Sequence, residues 1–176
     1  MPVFVDAPQP ADLPELVTVA ATTFPLACPP SATPDNIATF IAENLSEARF
    51  AEYLADPDRK VLVARCGTAI TGYTMLIRGV ADDDDVQRAV PQRPAMELSK
   101  MYVLPEHHGA GASSALMTAA LHNAAALGAA CVWLGVQQEN QRAQRFYTKH
   151  GFVINGTKTF QLGADIENDY VMVRSV

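Results

Sequence analysis

A segment in the second half of the chain combines an apolar strand, a loop of small residues and the beginning of a helix. It runs from Met101 to Leu116 and places Gly109 and Gly111 between the strand and the helix. Glycine permits tight turns and lets a ligand approach the backbone closely. Backbone N–H groups that converge at a helix N-terminus bind phosphate groups well. The segment therefore predicts a loop that holds a phosphorylated cofactor.

Two familiar phosphate-binding loops do not fit this segment. A Walker A loop needs Gly-Lys followed by Ser or Thr, and a dinucleotide-binding loop needs a third glycine where Ser114 stands. The hydroxyl groups of Ser113 and Ser114 add donors that favour a phosphate site. The alternative interpretation is a plain strand-to-helix connection that glycine makes flexible.

A second segment, from Asn140 to His150, is predicted to form a helix. Asn140 and Tyr147 are two helical turns apart, so they share one face about 10.5 Å apart along the axis. Ala143, Phe146 and His150 form a neighbouring stripe that is typical of a core-facing surface. A purely structural interpretation makes Asn140 the N-cap and Tyr147 an amphipathic residue with its hydroxyl at the surface. A chemical role for both residues is the other interpretation.

Hydrophobic periodicity and capping residues outline the elements that position these segments. Thr33 and Ser46 are suited to cap two helices in the first third of the chain. The predicted strands are Pro2–Val5, Lys60–Cys66, Ala69–Ile77, Met96–Val103, Cys131–Val136, Phe152–Phe160 and Tyr170–Val176, the later helices are Gly111–Leu127 and Asn140–His150, and a polar loop covers Gly79–Pro94. Strands that alternate with helices require parallel pairing, so a mixed sheet is expected.

Composition limits the class of protein and its partners. The chain has 176 residues, of which 49% are hydrophobic and 18% charged, and its net charge is -6. These values fit one soluble domain over residues 1–176 and disfavour nucleic acid as a partner. Neither the cysteines nor the histidines have metal-ligand spacing, so no metal is expected. We see no signal peptide and no membrane-spanning segment, which predicts a cytoplasmic protein. A homodimer and a monomer both remain open.

The two segments together resemble motifs of the GNAT superfamily of N-acetyltransferases. Val103–Ser113 resembles the loop that binds the pyrophosphate of acetyl-CoA, and Asn140–Phe152 resembles the Asn…Ala…Phe-Tyr…Gly-Phe motif that follows it. The resemblance covers roughly the last eighty residues. It implies a single-domain α/β fold with a mixed, mostly antiparallel sheet of about seven strands flanked by helices. It also implies acetyl-CoA as cosubstrate and direct acetyl transfer to a primary amine, without a covalent enzyme intermediate.

The resemblance assigns roles to individual residues. Tyr147 would protonate the departing CoA thiolate, which is chemically sensible because tyrosine has a reference pKa of about 10 against about 8.5 for a thiol. Backbone groups of the strand would contact the pantetheine arm and the thioester. The residues expected to bind acetyl-CoA are Met101, Tyr102, Val103, His108, Gly109, Ala110, Gly111, Ala112, Ser113, Ser114 and Asn140.

The chain departs from the superfamily pattern at two positions of the loop. Arg or Gln is usual where His108 stands, and Gly is usual where Ser113 stands. A histidine carries less positive charge than an arginine at neutral pH, so the backbone share of phosphate binding matters more here. These departures favour a rival interpretation, a non-catalytic module that only binds acyl-CoA. The retained Asn140 and Tyr147 favour catalysis.

Glu97, on the strand that leads into the loop, is the candidate general base. Because side chains alternate along a strand, Glu97 is expected to share a face with Ser99, Met101 and Val103. The carboxylate could take a proton from the attacking amine, directly or through a water. The alternative is a carboxylate in solvent at the beginning of the strand.

A narrower resemblance extends over nearly the full chain, to bacterial spermidine/spermine N-acetyltransferases. The segments that carry it are Thr23-Phe24, Pro34–Ile37, Trp133–Val136 and Thr159–Asp169. It implies a polyamine acceptor; an amino acid, an aminoglycoside and a protein N-terminus are the alternatives. The acidic residues Asp82–Asp85 and those at 165, 167 and 169 could attract a cationic acceptor. Solvated acidic loops would explain both groups without function.

Overall fold

The strands of the protein form a single mixed sheet. The structure, a computed structural model, describes residues 2–176, so residue 1 of the predicted 1–176 domain lies outside the described part. The strands are β1 (Val3–Asp6), β2 (Arg59–Cys66), β3 (Ala69–Arg78), β4 (Ala95–Val103), β5 (Cys131–Gln137), β6 (Val153–Leu162) and β7 (Asp165–Ser175). Their order in the sheet is β1-β2-β3-β4-β5-β7-β6. Within the described residues β4 and β5 pair in parallel and the other neighbours pair antiparallel, which confirms the predicted sheet.

Helices cover both faces of this sheet. They are α1 (Leu13–Ala27), α2 (Pro34–Asn44), α3 (Glu47–Ala55), α4 (Asp84–Ala89), α5 (Ala112–Ala126) and α6 (Gln141–Lys149). Thr33 and Ser46 cap α2 and α3 as predicted, since each side chain accepts a hydrogen bond from a backbone N–H in the first turn. None of the helices in residues 2–176 combines the length and apolar character needed to cross a membrane.

Alternate residues of β2 show how the two faces are divided. Leu62 and Ala64 pack with Leu116 of α5, whereas Val61 and Val63 pack in the cluster that includes Leu16 of α1. Side chains that are neighbours in sequence along a strand point to opposite faces. The helices α1, α2 and α3 therefore share one face of the sheet, and α5 lies on the other.

The polar loop predicted over Gly79–Pro94 contains a short helix, so that prediction was wrong. Asp83 caps α4, because its Oδ1 accepts from the N–H groups of Asp85 and Val86 at 2.8 and 3.2 Å. Aspartate is favoured at the N-cap and in the first turn of a helix, so an acidic run need not be a loop. Val86 is buried against Trp133, which is in the core as expected. The acidic run thus begins a helix that covers the sheet.

The last two strands are longer than the sequence predicted. The predicted strands Phe152–Phe160 and Tyr170–Val176 leave the acidic residues 165, 167 and 169 in the connection between them. In the structure these residues lie on β7, where Glu167 pairs with Phe160 and Asp169 pairs with Lys158. Acidic residues disfavour strands locally, but backbone pairing with a long neighbour overrides that preference. The extension places Glu167 and Asp169 in a strand rather than in a loop.

An extra residue in β4 reverses the alternation of side chains along that strand. Leu98 pairs with Leu76 and Lys100 pairs with Met75, so Ser99 has no partner on β3. Such a bulge moves every later side chain to the opposite face. Met101 and Val103 consequently pack toward α5, whereas Tyr102 packs toward α1. The predicted common face of Glu97 with Met101 and Val103 was therefore wrong.

Candidate active site

The central feature of the site is a gap between β4 and β5. The two parallel strands pair only where Ala95–Glu97 lies beside Cys131–Trp133. Beyond these residues a cavity of about 350 Å³ is lined by Ser99–Val103 on one side and Gly135–Gln137 on the other. Backbone polar groups at an unpaired strand edge need hydrogen-bond partners, and an extended ligand can supply them. The gap is therefore suited to a long, flexible molecule.

Most of the residues predicted to act together do line this one cavity. Those in its wall are Glu97, Met101, Tyr102, Val103, His108, Gly109, Ser113, Asn140 and Tyr147. Ala110, Gly111, Ala112 and Ser114 lie outside the wall, in the loop and first turn that frame it. The fold thus brings together segments that are far apart in the sequence.

The glycine-rich loop presents a group of backbone donors at the beginning of α5. Gly109 and Gly111 have φ angles of 82° and 90°, in the left-handed region that favours glycine. Within residues 2–176, the N–H groups of Gly109, Gly111, Ala112, Ser113 and Ser114 have no hydrogen-bond acceptor. Unpaired donors at the N-terminus of a 15-residue helix make an anion-binding site. This arrangement favours the phosphate interpretation over a plain connection.

His108 does not point its ring nitrogens at this group of donors. Its Nε2 lies 2.8 Å from the carbonyl oxygen of Val103, and its Nδ1 lies 2.8 Å from Nη2 of Arg142. A guanidinium can only donate, so Nδ1 accepts and the hydrogen belongs on Nε2, where it is donated to Val103. The ring is neutral in this arrangement. Arg142, which sequence reasoning missed, places a positive charge in the cavity wall together with Gly109 and Ser113 of the loop.

Tyr147 on α6 reaches the cavity from the side of β5. Its ring centroid lies 5.5 Å from that of Phe146 and 5.9 Å from that of Phe152, which fixes its position. Burial raises the pKa of Tyr147 above its usual range, so the phenol remains protonated at neutral pH. Asn140 caps α6 with an Oδ1 that accepts from Ala143 at 3.1 Å, and it also lines the cavity.

The other end of the cavity has charged groups on its floor. Burial raises the pKa of Glu97, although the nearby Lys158 and Lys100 oppose the shift. Burial lowers the pKa of Lys100 to about 8. Lys158 pairs with Asp169 at 3.3 Å, and both side chains are largely buried. Glu97 is therefore a half-buried carboxylate in the cavity wall with cations nearby, which favours the chemical interpretation over that of a carboxylate in solvent.

Apolar side chains form the wall above this floor. The rings of Phe24 and Phe40 stack with centroids 4.4 Å apart, and Phe160 lies 5.2 Å from Phe40. Cys28 lies in the same wall, where burial raises the pKa of its thiol to about 11. A protonated, buried thiol is a poor nucleophile. In the described residues no group of three or more His, Cys, Asp or Glu is placed to hold a metal ion.

Comparison with known proteins identifies the family. The model of the acetyltransferase (GNAT) family matches residues 26–152. The chain belongs to this family. It is 60% identical over 165 residues to an uncharacterized N-acetyltransferase of Mycobacterium tuberculosis, which covers 94% of the chain and 98% of the relative. The match to an uncharacterized N-acetyltransferase of Mycobacterium bovis has the same values.

Solved structures share the fold across the whole chain. The PaiA N-acetyltransferase of Thermoplasma acidophilum in complex with coenzyme A has a TM-score of 0.77 at 18% identity, with 100% of both chains covered. The ribosomal-protein-S18-alanine N-acetyltransferase of Escherichia coli has a TM-score of 0.69 at 17% identity, with 99% of this chain and 94% of that chain covered. The fold is therefore that of the GNAT family.

The GNAT protein described here is an N-acetyltransferase with acetyl-CoA as its donor, and its cavity has two distinct ends. The end formed by the edge of β4, the glycine-rich loop and α6 is the proposed donor end. The end formed by charged residues on the strands beneath a wall of aromatic rings is the proposed acceptor end. Of its charged groups, Lys100 and Lys158 were missed in the sequence. Lys100 has one local signal, since it is the one basic residue in a strand of mostly apolar residues.

Proposed function

We propose that this protein transfers the acetyl group of acetyl-CoA directly to a primary amine bound at the acceptor end of the cavity, and that the amine is a polyamine such as spermidine or spermine. The observation that carries direct transfer is that a carboxylate, Glu97, and a phenol, Tyr147, line one cavity beside the glycine-rich loop. They provide a base for the amine and an acid for the thiolate.

The donor lies across the gap between β4 and β5 in this proposal. Its diphosphate binds the free N–H groups of the loop, including those of Gly111 and Ser113. The pantetheine arm follows the unpaired edge of β4 near Met101 and Val103, which places the thioester close to Tyr147. In this binding mode the backbone makes most of the contacts with acetyl-CoA, so binding does not require a charged His108.

Chemistry begins with removal of a proton from the bound ammonium group. Glu97 takes this proton, directly or through a water, and the neutral nitrogen attacks the thioester carbonyl carbon. The C–N bond forms, the C–S bond breaks, and the thiolate takes the proton of the Tyr147 hydroxyl. The attacking nitrogen then gives its second proton to the resulting phenolate, directly or through water, which leaves a neutral amide and restores the phenol. The raised pKa of Glu97 brings its basicity closer to that of an amine. No enzyme nucleophile is needed, and the protonated thiol of Cys28 fits that scheme.

The acidic groups of the acceptor end support a polycationic substrate. Asp169 is paired with Lys158, but Glu167 forms no ion pair within residues 2–176 and also lines the cavity. An extended polyamine could place its reacting nitrogen at Glu97 and a second ammonium group at Glu167. The residues Asp82–Asp85 line no part of the cavity, so their contribution is limited to the overall negative charge.

A second acceptor class is favoured by one observation, the charge of Lys100. Within residues 2–176 its ammonium group pairs with no carboxylate, and it lies 5.8 Å from the ring centroid of Tyr53. The guanidinium groups of Arg49 and Arg59 also lie over that ring, at 5.3 and 4.8 Å. Unpaired positive charge at the cavity would attract a carboxylate. An amino acid is therefore the second candidate, and the aminoglycoside and protein N-terminus have no such support.

Kinetics with a panel of amines distinguish a polyamine from an amino acid as the acceptor. The panel is measured with two variants, one that removes a negative charge from the cavity and one that removes a positive charge. For a polyamine, Glu167→Gln should raise KM about tenfold with little change in kcat, and Lys100→Gln should leave KM unchanged or lower it. Because screening weakens steering, kcat/KM should fall with salt more for spermine than for a monoamine. Turnover of amino acids but not spermidine or spermine, with KM raised by Lys100→Gln, would contradict the polyamine proposal.

A further inference from the structure

We propose that Arg142 is the positively charged ligand of the acetyl-CoA diphosphate and that neutral His108 is the residue that positions it. The inference concerns only the donor end of the site. It rests on acetyl-CoA as the donor and does not depend on which amine is the acceptor.

The position of Arg142 is fixed by a chain of two hydrogen bonds. The carbonyl of Val103, the last residue of β4, accepts from Nε2 of His108 at 2.8 Å. Nδ1 of His108 accepts from Nη2 of Arg142 at 2.8 Å. Val103 is buried and its backbone belongs to the sheet, so the chain anchors a long surface side chain to a rigid strand. Arginine otherwise loses much rotamer freedom when it binds a ligand, and such an anchor reduces that loss.

The guanidinium of Arg142 is free to bind an anion. Within residues 2–176 no carboxylate pairs with it, and the contact with His108 leaves its other N–H donors available. Arg142 lines the cavity together with Gly109 and Ser113, which belong to the group of loop donors. A planar guanidinium binds two phosphate oxygens at once. Backbone donors and a guanidinium therefore surround one place, where a diphosphate would receive both hydrogen bonds and charge.

In this arrangement His108 has a role that does not require a positive charge. As the donor to Val103 and the acceptor from Arg142, the ring must be neutral, because a protonated ring has no acceptor nitrogen. His108 thus acts through Arg142 and makes no phosphate contact itself.

Binding of acetyl-CoA and of dephospho-CoA, measured by calorimetry without any acceptor, tests the role of Arg142. Arg142→Ala should weaken both ligands about tenfold or more, and Arg142→Lys should weaken them less, since a charge remains without the bidentate geometry. The matched control is Arg145→Ala, which removes the same charge from an exposed position of α6 outside the cavity. It should change either affinity less than about twofold. A loss confined to acetyl-CoA would place Arg142 at the 3′-phosphate and overturn the assignment, as would equal losses in the two alanine variants.

A double-mutant cycle tests whether His108 acts through Arg142. His108→Ala should weaken acetyl-CoA binding several-fold in the wild-type background and leave it unchanged in the Arg142→Ala background. His108→Gln should retain most of the affinity, because an amide can donate to Val103 and accept from Arg142. The glutamine variant also serves if the alanine variant folds poorly. Independent, additive effects of the two alanine substitutions would contradict the positioning role.

Discussion

Replacing Tyr147 with phenylalanine is expected to lower kcat by about 100-fold or more, the range typical of a lost general acid. The affinity for acetyl-CoA should change little, because the ring and its contacts with Phe146 and Phe152 remain. Steady-state kinetics at saturating substrate and calorimetry with acetyl-CoA provide the two values. A loss of kcat without a loss of acetyl-CoA affinity distinguishes a proton-donating role of Tyr147 from a packing role.

Tyr170→Phe is the matched control for this substitution. Tyr170 is half-buried on β7 and packs in the cluster beneath α6, but it does not line the cavity. Loss of its hydroxyl should leave kcat within about twofold. A Tyr147→Phe variant that kept the wild-type kcat across the pH range would show that Tyr147 only packs, and the proposed acid would be wrong.

Replacing Gly111 with valine is expected to weaken acetyl-CoA binding about tenfold or more. The φ angle of Gly111 is 90°, and strain of this kind costs about 1–3 kcal/mol for a residue with a side chain. A Cβ there meets no other atom within 4 Å, so no clash within the protein contributes. Relief of the strain would move the backbone N–H groups of the loop out of the arrangement that binds the diphosphate. If the backbone does not move, the branched side chain occupies space where the diphosphate binds. Calorimetry with acetyl-CoA measures the loss.

Gly128→Val is the matched control, because it introduces a similar backbone strain at the other end of α5, away from the loop. Gly128 follows the C-terminal end of α5, with a φ angle of 87° and open space around the position of a Cβ. The two variants should therefore lose similar stability in urea unfolding, while only Gly111→Val loses acetyl-CoA affinity. Unchanged affinity in Gly111→Val would remove the loop from the donor site.

Features that depend on neighbouring residues were predictable from the sequence. The caps at Thr33 and Ser46, the succession of strand, glycine-rich loop and helix, and the helix that begins beside Asn140 all follow from local patterns, and the structure confirms them. The helix α4 was missed because the acidic residues near Asp83 suit a solvated loop and an N-terminal helical turn equally well.

The mixed pairing of the strands was predictable, but features that depend on the exact register of that pairing were not. The bulge at Ser99 leaves no local signal, yet it decides that Tyr102 rather than Met101 faces α1. The bond between His108 and Arg142 joins residues 34 positions apart, and its existence follows from the parallel placement of β4 and β5. Sequence reasoning could find the motifs, but only the fold could show how their side chains meet.

The central claim is direct acetyl transfer to a primary amine within the cavity between β4 and β5. It is tested most directly by measuring released CoA, acetylated amine and intact protein mass in one reaction with acetyl-CoA and the amine panel. We expect CoA and N-acetylated product in equal amounts, with no acetylated protein at any time. A protein that binds acetyl-CoA but releases no CoA with any amine would instead be a binding module, and an acetyl-protein that forms and decays at the rate of turnover would contradict direct transfer.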